Sequence, residues 1–435
     1  MPERQVETLL PVELGPAKIR YAQGMRAGPW VFATGHLAQD FVNGIDPAVL
    51  AAAAPQYGVP KYEKEAARIY DNLAAVLEAG GVGWEHVVRL DQYFPDARAV
   101  DPYHIIRHRR FGAVIPPSTS IIIQDLLLPG AGMEVQAIAL HPSAGAPMPL
   151  RHRDLDGPPS SGYCPALRGG PFVFIAGAMA SAAPGEPSRR GLALQAVVPE
   201  GSAWKGQPIK LEAEYVIKEK LEPALALAGC TFADVVKAQI YLTHAEDAAA
   251  FNQVWNRHFA GAPVATTIVV SADPGLALFD ARLEINALAL TGQKKTGVSA
   301  GGAAPSYQGQ TLAVRAGDFL FLSGLMAADA DGLLPEARSD PRQPHFHAGA
   351  GAEARAILRQ AEAICRTAGA SLANVVRIQQ FHTDLRDFYP VYAAWQEALP
   401  GAALPVSAIE VPRHTVPGCR LLMDLWVYAP QEDRG

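Results

Sequence analysis

Residues 26–35 read RAGPWVFATG, residues 168–177 read RGGPFVFIAG and residues 315–324 read RAGDFLFLSG. One ten-residue unit therefore recurs three times, at offsets of 142 and 289 residues. A second landmark follows each copy: LEAGGVGWEHVVRLDQYF (77–94), LALAGCTFADVVKAQIYL (225–242) and CRTAGASLANVVRIQQFH (365–382). A third closes each copy: GMEVQAIAL (132–140), ARLEINALAL (281–290) and CRLLMDLWVYA (419–429). Three landmarks in one order define a threefold repeat, and 435 residues divide into units of 145.

Each unit reads β-β-α-β-α-β-β. The quoted stretch is a β-rich run ending in glycine, a strand entering a turn. YEKEAARIYDNLAAVLEAGG is a helix, with Ile69, Leu73, Val76 and Leu77 at helical spacing and Gly80–Gly81 as its C-cap. VVRLDQYF is a strand. DPYHIIRHRRF is a second helix, with Asp101 and Pro102 read as N-cap and first position. Two strands finish the unit. The fold class is α+β, with both helices on one face of a sheet. Ile121–Ile123 and Ile268–Val270 are unbroken β-branched runs, as in strands covered on both sides. One unit cannot supply that cover. Three can, by packing their open faces around an axis, which predicts an intramolecular pseudo-trimer. Gly-, Pro- and Ser-rich stretches at 142–159 and 291–305 read as linkers, giving domains at 1–142, 150–292 and 300–430.

Composition narrows the function. Forty-three acids against 37 bases give a net charge of −6, with no basic stripe for a phosphate backbone, so nucleic acid is not the expected partner. Four dispersed cysteines suit a reducing, cytoplasmic setting. MPERQVETLL does not read as a secretory signal, and no run of 18 apolar residues predicts a membrane span. The alternating pair His345–Phe346–His347 lacks a third ligand nearby and reads as a loop, so no metal or other cofactor is expected.

The order of an apolar strand ending in SG, a helix, a glycine turn, VV(K/R)xxxY, a second helix, a Pro-initiated strand and a final vEixA strand resembles the reactive-intermediate deaminase family (RidA, also called YjgF), three tandem copies in one chain. The resemblance implies RidA-like (chorismate-mutase-like) domains, a ligand cleft between neighbouring units, and hydrolysis of enamines and imines. It also implies an arginine in a P-A-R-S run that grips a substrate carboxylate. Here those runs are Pro116–Thr119, Pro263–Thr266 and Pro405–Ala408, and the expected arginine is Ser118, Ala265 or Ser407. Ordinary 2-imino-acid deamination is therefore not expected.

Other family positions survive unevenly. The cleft tyrosine is Tyr21 or Tyr163, with Gln310 in the third copy; the close-approach glycine is Gly35, Gly177 or Gly324. The acid that positions water is Glu134 or Glu284, with Leu422 in the third copy and Asp424 two residues on. The helix position offered to a neighbouring unit is His104, Asn252 or Tyr392.

The first unit is richest in polar candidates, so Glu134, Tyr21 and His36 are expected to be catalytic. Gly35, Thr34, Ser118, Thr119, Arg20, His104, Glu284, Tyr163, Asn252 and Tyr392 are expected to bind substrate. A carboxylate with a His and a Tyr suits acid–base chemistry near neutral pH. Arg20 is the substitute anion clamp, while Arg26, Arg168 and Arg315 read as structural salt bridges. No GxSxG elbow, phosphate loop or dinucleotide fingerprint is present, and a threefold Ser–Lys design fails because the third unit has no lysine after Lys295. The expectation is a small-molecule hydrolase or deaminase acting on an imine, enamine or amide-type C–N bond. The alternative is a non-catalytic binding protein derived from a deaminase. A ribonuclease is disfavoured by charge. The partner is a small molecule; the single chain closes its own trimer, and further assembly stays open.

Overall fold

In the computed structural model, which describes residues 6–51, 58–158, 160–201, 207–301, 303–307, 309–338, 342 and 349–430, the three quoted stretches meet. Trp30, Phe172 and Phe319 hold the same place in the three copies. Their ring centroids lie 5.7, 5.8 and 6.0 Å apart, in edge-on and tilted contacts. Phe32, Phe174, Phe321 and Trp426 extend the cluster along the centre. Edge-on aromatic pairs add to the gain from burial alone. The repeat pattern thus becomes one core shared by three sheets.

The first unit comprises β1 (Glu7–Leu14), β2 (Ile19–Ala27), β3 (Trp30–His36), α1 (Lys61–Ala79), β4 (Val87–Phe94), α2 (Val100–Phe111), β5 (Ser118–Ile122), β6 (Asp125–Leu126) and β7 (Glu134–Leu140). Its sheet runs β1-β2-β3-β7-β4-β5, with only β4 and β5 parallel. Ile69, Leu73, Val76 and Leu77 of α1 are buried, and Gly81 takes a left-handed φ of +75° after the helix. Helix α2 starts at Val100, so Asp101 and Pro102 lie in its first turn; Asp96 caps the preceding short turn through the Arg98 N–H.

The second unit has β8 (Met148–Leu150), β9 (Ala166–Gly169), β10 (Phe172–Ala178), α3 (Pro208–Tyr215), β11 (Val235–Leu242), α4 (Ala248–His258), β12 (Ala265–Val270) and β13 (Leu283–Leu290), in the order β12-β11-β13-β10-β9-β8. The third has β14 (Lys295–Val298), β15 (Ala313–Ala316), β16 (Phe319–Leu322), α5 (Gly349–Thr367), β17 (Val375–His382), α6 (Phe388–Ala398), β18 (Val406–Glu410) and β19 (Leu421–Tyr428), in the order β14-β15-β16-β19-β17-β18-β6. Two corrections follow. Parts of the stretches read as linkers, 148–150 and 295–298, instead form edge strands. Strand β6 of the first unit joins the third unit's sheet, pairing Leu126 with Ile409 and Asp125 with Glu410.

Below the aromatic cluster the centre is polar. Asp91 of β4 is gripped by Arg89, at 2.6 Å, and by Arg377 of β17, at 2.5 Å; all three side chains are under 10% exposed. Arg89 also donates to the Ile175 carbonyl of the second unit at 2.9 Å. Lys237, the equivalent of Arg89, pairs with Asp424 of the third unit at 2.8 Å and donates to the Leu322 carbonyl. Each unit's cation thus reaches into a neighbour. Burial pushes the Asp91 carboxyl up, but the two guanidiniums hold it below its ordinary value.

Three more carboxylates fix the final strands. Glu65, Glu212 and Glu353 occupy one position on the first helix of each unit. They accept the backbone N–H of Gly132, Arg282 and Arg420 at the mouth of the last strand. This sets where Glu134 and Glu284 emerge. Arg26 makes an exposed pair with Glu7, whereas Arg168 and Arg315 donate to the Ala228 and Ala368 carbonyls after the first helices. The salt-bridge expectation is thus replaced, for two of the three, by helix-end capping. Among the described residues no helix is long and apolar enough to cross a membrane.

Removing one member of a buried ion pair strands the others, at a cost of about 3–5 kcal/mol. Asp91→Asn should therefore lose about that much in urea unfolding at pH 7. Because the folded carboxyl is held low, the wild-type advantage should be present above the unfolded value and vanish as pH falls through the folded one. An unfolding free energy equal to wild type at pH 7 would refute the centre as described.

Candidate active site

Each cleft lies where the strand preceding one unit's core meets the penultimate strand of its neighbour. Isolated parallel bridges mark the three junctions: Tyr21 with Leu404, Tyr163 with Ile115, and Thr311 with Ala265. Asp91, Gln239 and Gln379 are equivalent and pair with Thr119, Thr267 and Ser407. Thr119 and Thr267, and not Ser118 and Ala265, are therefore the positions that match Ser407. The sequence register is corrected by one residue in the first unit and two in the second. None of the three is arginine.

A β-bulge interrupts β3 between Ala33 and His36, and another interrupts β10 between Ile175 and Ala178. Bulges re-aim side chains beside sites. Here they leave Gly35 facing Glu134, and Gly177 facing Glu284. A Cβ at either glycine would collide with the carboxylate.

The cleft between the first and third units is the best formed. It encloses about 530 Å3, with Tyr21, Gly35 and Glu134 at its floor. The Ser407 hydroxyl donates to Glu134 Oε1 at 2.5 Å, and the Gln136 amide donates to the same oxygen at 3.3 Å. Burial pushes the Glu134 carboxyl up to about 7, partly opposed by these two donors. Among the described residues no cation pairs with it. Tyr21 Oη donates to the Gly35 carbonyl at 2.9 Å and lies 2.9 Å from Thr34 Oγ1, and burial raises its phenol. The walls are mainly apolar, with Leu14, Ile19, Phe41, Leu128, Phe388 and Val406 beside Gln39 and Asn43. Phe41 holds a φ of +62° because Asp40 Oδ1 accepts the N–H groups of Val42 and Asn43. That backbone conformation costs about 1–2 kcal/mol. It stacks the ring near Tyr21, at 6.3 Å and 24°.

Three expected members do not line this cavity, and one of them, Thr34, is buried with its hydroxyl against the Ala22 and Gln23 carbonyls. His36 is fully buried, bonds to the Gln23 carbonyl through Nε2 at 2.8 Å, and is lowered by burial to about 4, so it is neutral at pH 7. It does not line the cavity. Arg20 turns outward to Glu13 and the Gly401 carbonyl. Tyr392 sits at the rim, accepting the Arg20 backbone N–H.

Ser118 and Thr119 belong instead to the junction of the first and second units, where Thr119 lies beside Gly177 and Arg107 joins Ser118 to Ser161; among the described residues, neither ring nitrogen of His104, on α2, has a hydrogen-bond partner. A single first-unit constellation is thus split across two clefts. Thr119 accepts from Arg89 at 2.5 Å and from Asn286 at 3.2 Å. Ser118 accepts from Arg107 Nη1 at 3.1 Å; Arg107 also ties down Ser161 and stands where the other units have Trp255 and Trp395. Burial pushes His104 down to about 3, with Arg107 and His108 adding to it. Burial raises Tyr163 to about 12. Glu284 is raised by burial to about 8 despite Arg89, and its Oε2 has no hydrogen-bond partner. The cavity beside Tyr163 and Gly177 holds about 230 Å3. Between the second and third units, Asn252 and Gln310 border only about 30 Å3. Leu422 leaves that cleft without the carboxylate, because Asp424 is spent on Lys237.

Sequence reading missed the apolar walls, which come from the ends of β1 and β2, from loops and from a unit remote in the chain. The His345–His347 pair lies outside the described residues. Among the described residues no three His, Cys, Asp or Glu side chains converge as a metal set.

A carboxyl raised in the folded state stabilises it below the unfolded value of about 4.3 and ceases to as pH rises through the folded value. For Glu284 the loss should run up to about pH 8. Glu284→Gln should therefore match wild type near pH 4 and melt a few degrees higher at pH 9, read by thermal unfolding across that range.

Comparison with known proteins follows this geometry. A 76-residue stretch is 41% identical to Protein DfrA of Myxococcus xanthus, covering 17% of this chain and 55% of that protein, so the match spans about half of the relative's length. RutC family protein slr0709 of Synechocystis is 26% identical over 133 residues, covering 31% of this chain and 92% of its own. Among solved structures, yeast Mmf1 is 22% identical with a TM-score of 0.27, over 33% of this chain and 98% of its own. Rv2704 of Mycobacterium tuberculosis, a member of the YjgF/YER057c/UK114 family, is 28% identical with a TM-score of 0.24, over 31% and 100%. The family model described as Endoribonuclease L-PSP matches residues 13–141, 156–291 and 302–426, so the chain belongs to that family, the RidA/YjgF proteins, as three tandem copies.

Proposed function

We propose that this protein hydrolyses a C–N bond of a small imine, enamine or amide-type compound in the cleft between its first and third units. The observation that carries this reading is Glu134: a buried carboxyl raised to about 7, at the floor of a 530 Å3 cavity, with one oxygen held by Ser407. A group titrating near the working pH serves both as base and as acid. In the reading proposed here, Glu134 takes a proton from water as its oxygen bonds to the substrate carbon. The same carboxyl passes that proton to nitrogen, then carries the hydroxyl proton of the tetrahedral adduct to the nitrogen as the C–N bond breaks, giving a carbonyl compound and an amine or ammonia. Gly35 lets the carbon approach, and the Tyr21–Thr34 pair orders the floor.

The family description names an endoribonuclease. The net charge of −6 and the lack of a cation beside Glu134 argue against a phosphodiester substrate. Free, buried cysteines at 164, 230, 365 and 419 support the cytoplasm as the site of action.

The test is an imine-trapping assay. Imines generated by amino-acid and amine oxidases are captured by semicarbazide, and hydrolysis by the protein lowers the captured fraction. Glu134→Gln should lower kcat about 10²–10⁴-fold, the usual contribution of a positioned acid–base group, with ligand binding largely kept. Glu284→Gln should do much less. A silent Glu134→Gln variant beside a crippled Glu284→Gln variant would move the chemistry to the other cleft. No effect of either would favour a binding protein derived from a deaminase.

A further inference from the structure

We infer that the substrate of the cleft between the first and third units is an uncharged molecule: a small C–N head carrying an apolar tail and no carboxylate. The inference rests on the reading above for the choice of cleft, and on independent geometry for the chemistry of the ligand. The polar end is small. Glu134, with its Ser407 and Gln136 donors, is the acid at the floor, and Tyr21 spends its hydroxyl hydrogen on the Gly35 carbonyl. Arg20 is committed to Glu13 and Gly401 at the rim and Arg377 to Asp91 and Gln136 in the centre, while Lys18, exposed in the turn before Ile19, is not among the residues that line the cavity. A carboxylate entering here would lose its water and gain no positive partner, next to a glutamate that ionises near neutral pH.

The remaining wall is mainly apolar; of its two polar residues, Gln39 and Asn43, the second is turned to Asp40. Leu14, Ile19, Phe41, Leu128 and Phe388 surround the space between floor and mouth. Phe41 is held there by the Asp40 turn in a conformation a bulky residue seldom adopts. Leu128 is delivered by the segment that follows β6, the strand lent to the third unit's sheet. Two separate local devices thus place apolar groups against the cavity. Such a lining rewards an apolar tail and orients the C–N head toward Glu134.

The test is calorimetric binding of near-isosteric pairs to the full chain at pH 7: phenylacetamide against phenylacetate, and hexanamide against hexanoate. The amides should bind at least tenfold more tightly. Phe41→Ala should weaken the amides about tenfold, and Leu128→Arg, on a half-buried loop, should shrink or invert the preference. Melting temperatures within a few degrees of wild type would establish that both variants fold. Carboxylates binding as well as amides, no binding of either class at millimolar ligand, or a preference unmoved in folded Leu128→Arg would each overturn the inference. The outcome is separable from the hydrolase reading. Amide-selective binding with no turnover of any imine leaves this inference standing and sinks the enzyme. Glu134-dependent turnover of a carboxylate-bearing imine does the reverse.

Discussion

The grip of Arg89 and Arg377 on Asp91 ties this molecule together. The two cations come from different units, and the acid sits where the strands of the first unit face the centre. Such a group is costly to bury alone and tolerable only when its partners arrive in register. A slip of one residue along β4 would turn Asp91 to the helical face and leave both guanidiniums unpaired. The register of β4, β7 and β17 is thereby fixed together, and with it the positions of Gln136 and Glu134. Lys237 and Asp424 do the same between the second and third units. Three identical chains around an axis would have to place like residues opposite one another. A fused chain can instead carry Asp91, Gln239 and Gln379 at one equivalent position, so that a single acid meets two cations.

The same freedom separates the clefts. Glu134 and Glu284 hold one position in two copies, yet the first is met by the Ser407 hydroxyl and an apolar cavity. The second has an unpartnered Oε2 and lies in the field of Arg89 and Asp91, while Thr119 nearby is taken up by Arg89 and Asn286. The third copy has spent its polar group on the structural pair with Lys237. Difference in environment, more than difference in the acid itself, makes the sites unequal.

Much of this was legible in the sequence. The repeat, the order of strands and helices, and the carboxylates at Glu134 and Glu284 follow from spacing and side-chain period, which are local properties. The register at Pro116–Pro117 was not, because two adjacent prolines offer two starting points and only pairing with β4 selects Pro117-Ser118-Thr119. His36 looked like a base because imidazole titrates near neutrality, but burial against the Gln23 carbonyl removes that property. Sharing a repeat groups Ser118 and Thr119 with Tyr21 in the sequence. The chain instead gives its penultimate strand to the cleft of the following unit. The edge strands at 148–150 and 295–298 were hidden in Gly- and Pro-rich stretches, whose pairing is dictated by the neighbouring strand and not by their own composition.

The loan of β6 to the last unit also sets a timetable. Ribosomes extend a chain from its N-terminus at about 5–20 residues per second. Tyr21, Glu134 and the Leu128 loop are made early, whereas Phe388, Ser407 and the strand that receives β6 come near the end. The interval is on the order of tens of seconds. During it the first unit can associate with the second, but its own cleft lacks a wall and its lent strand lacks a host. The cavity around Glu134 is therefore the last interface to close, and a chain cut short in its third unit would carry the carboxylate without the pocket.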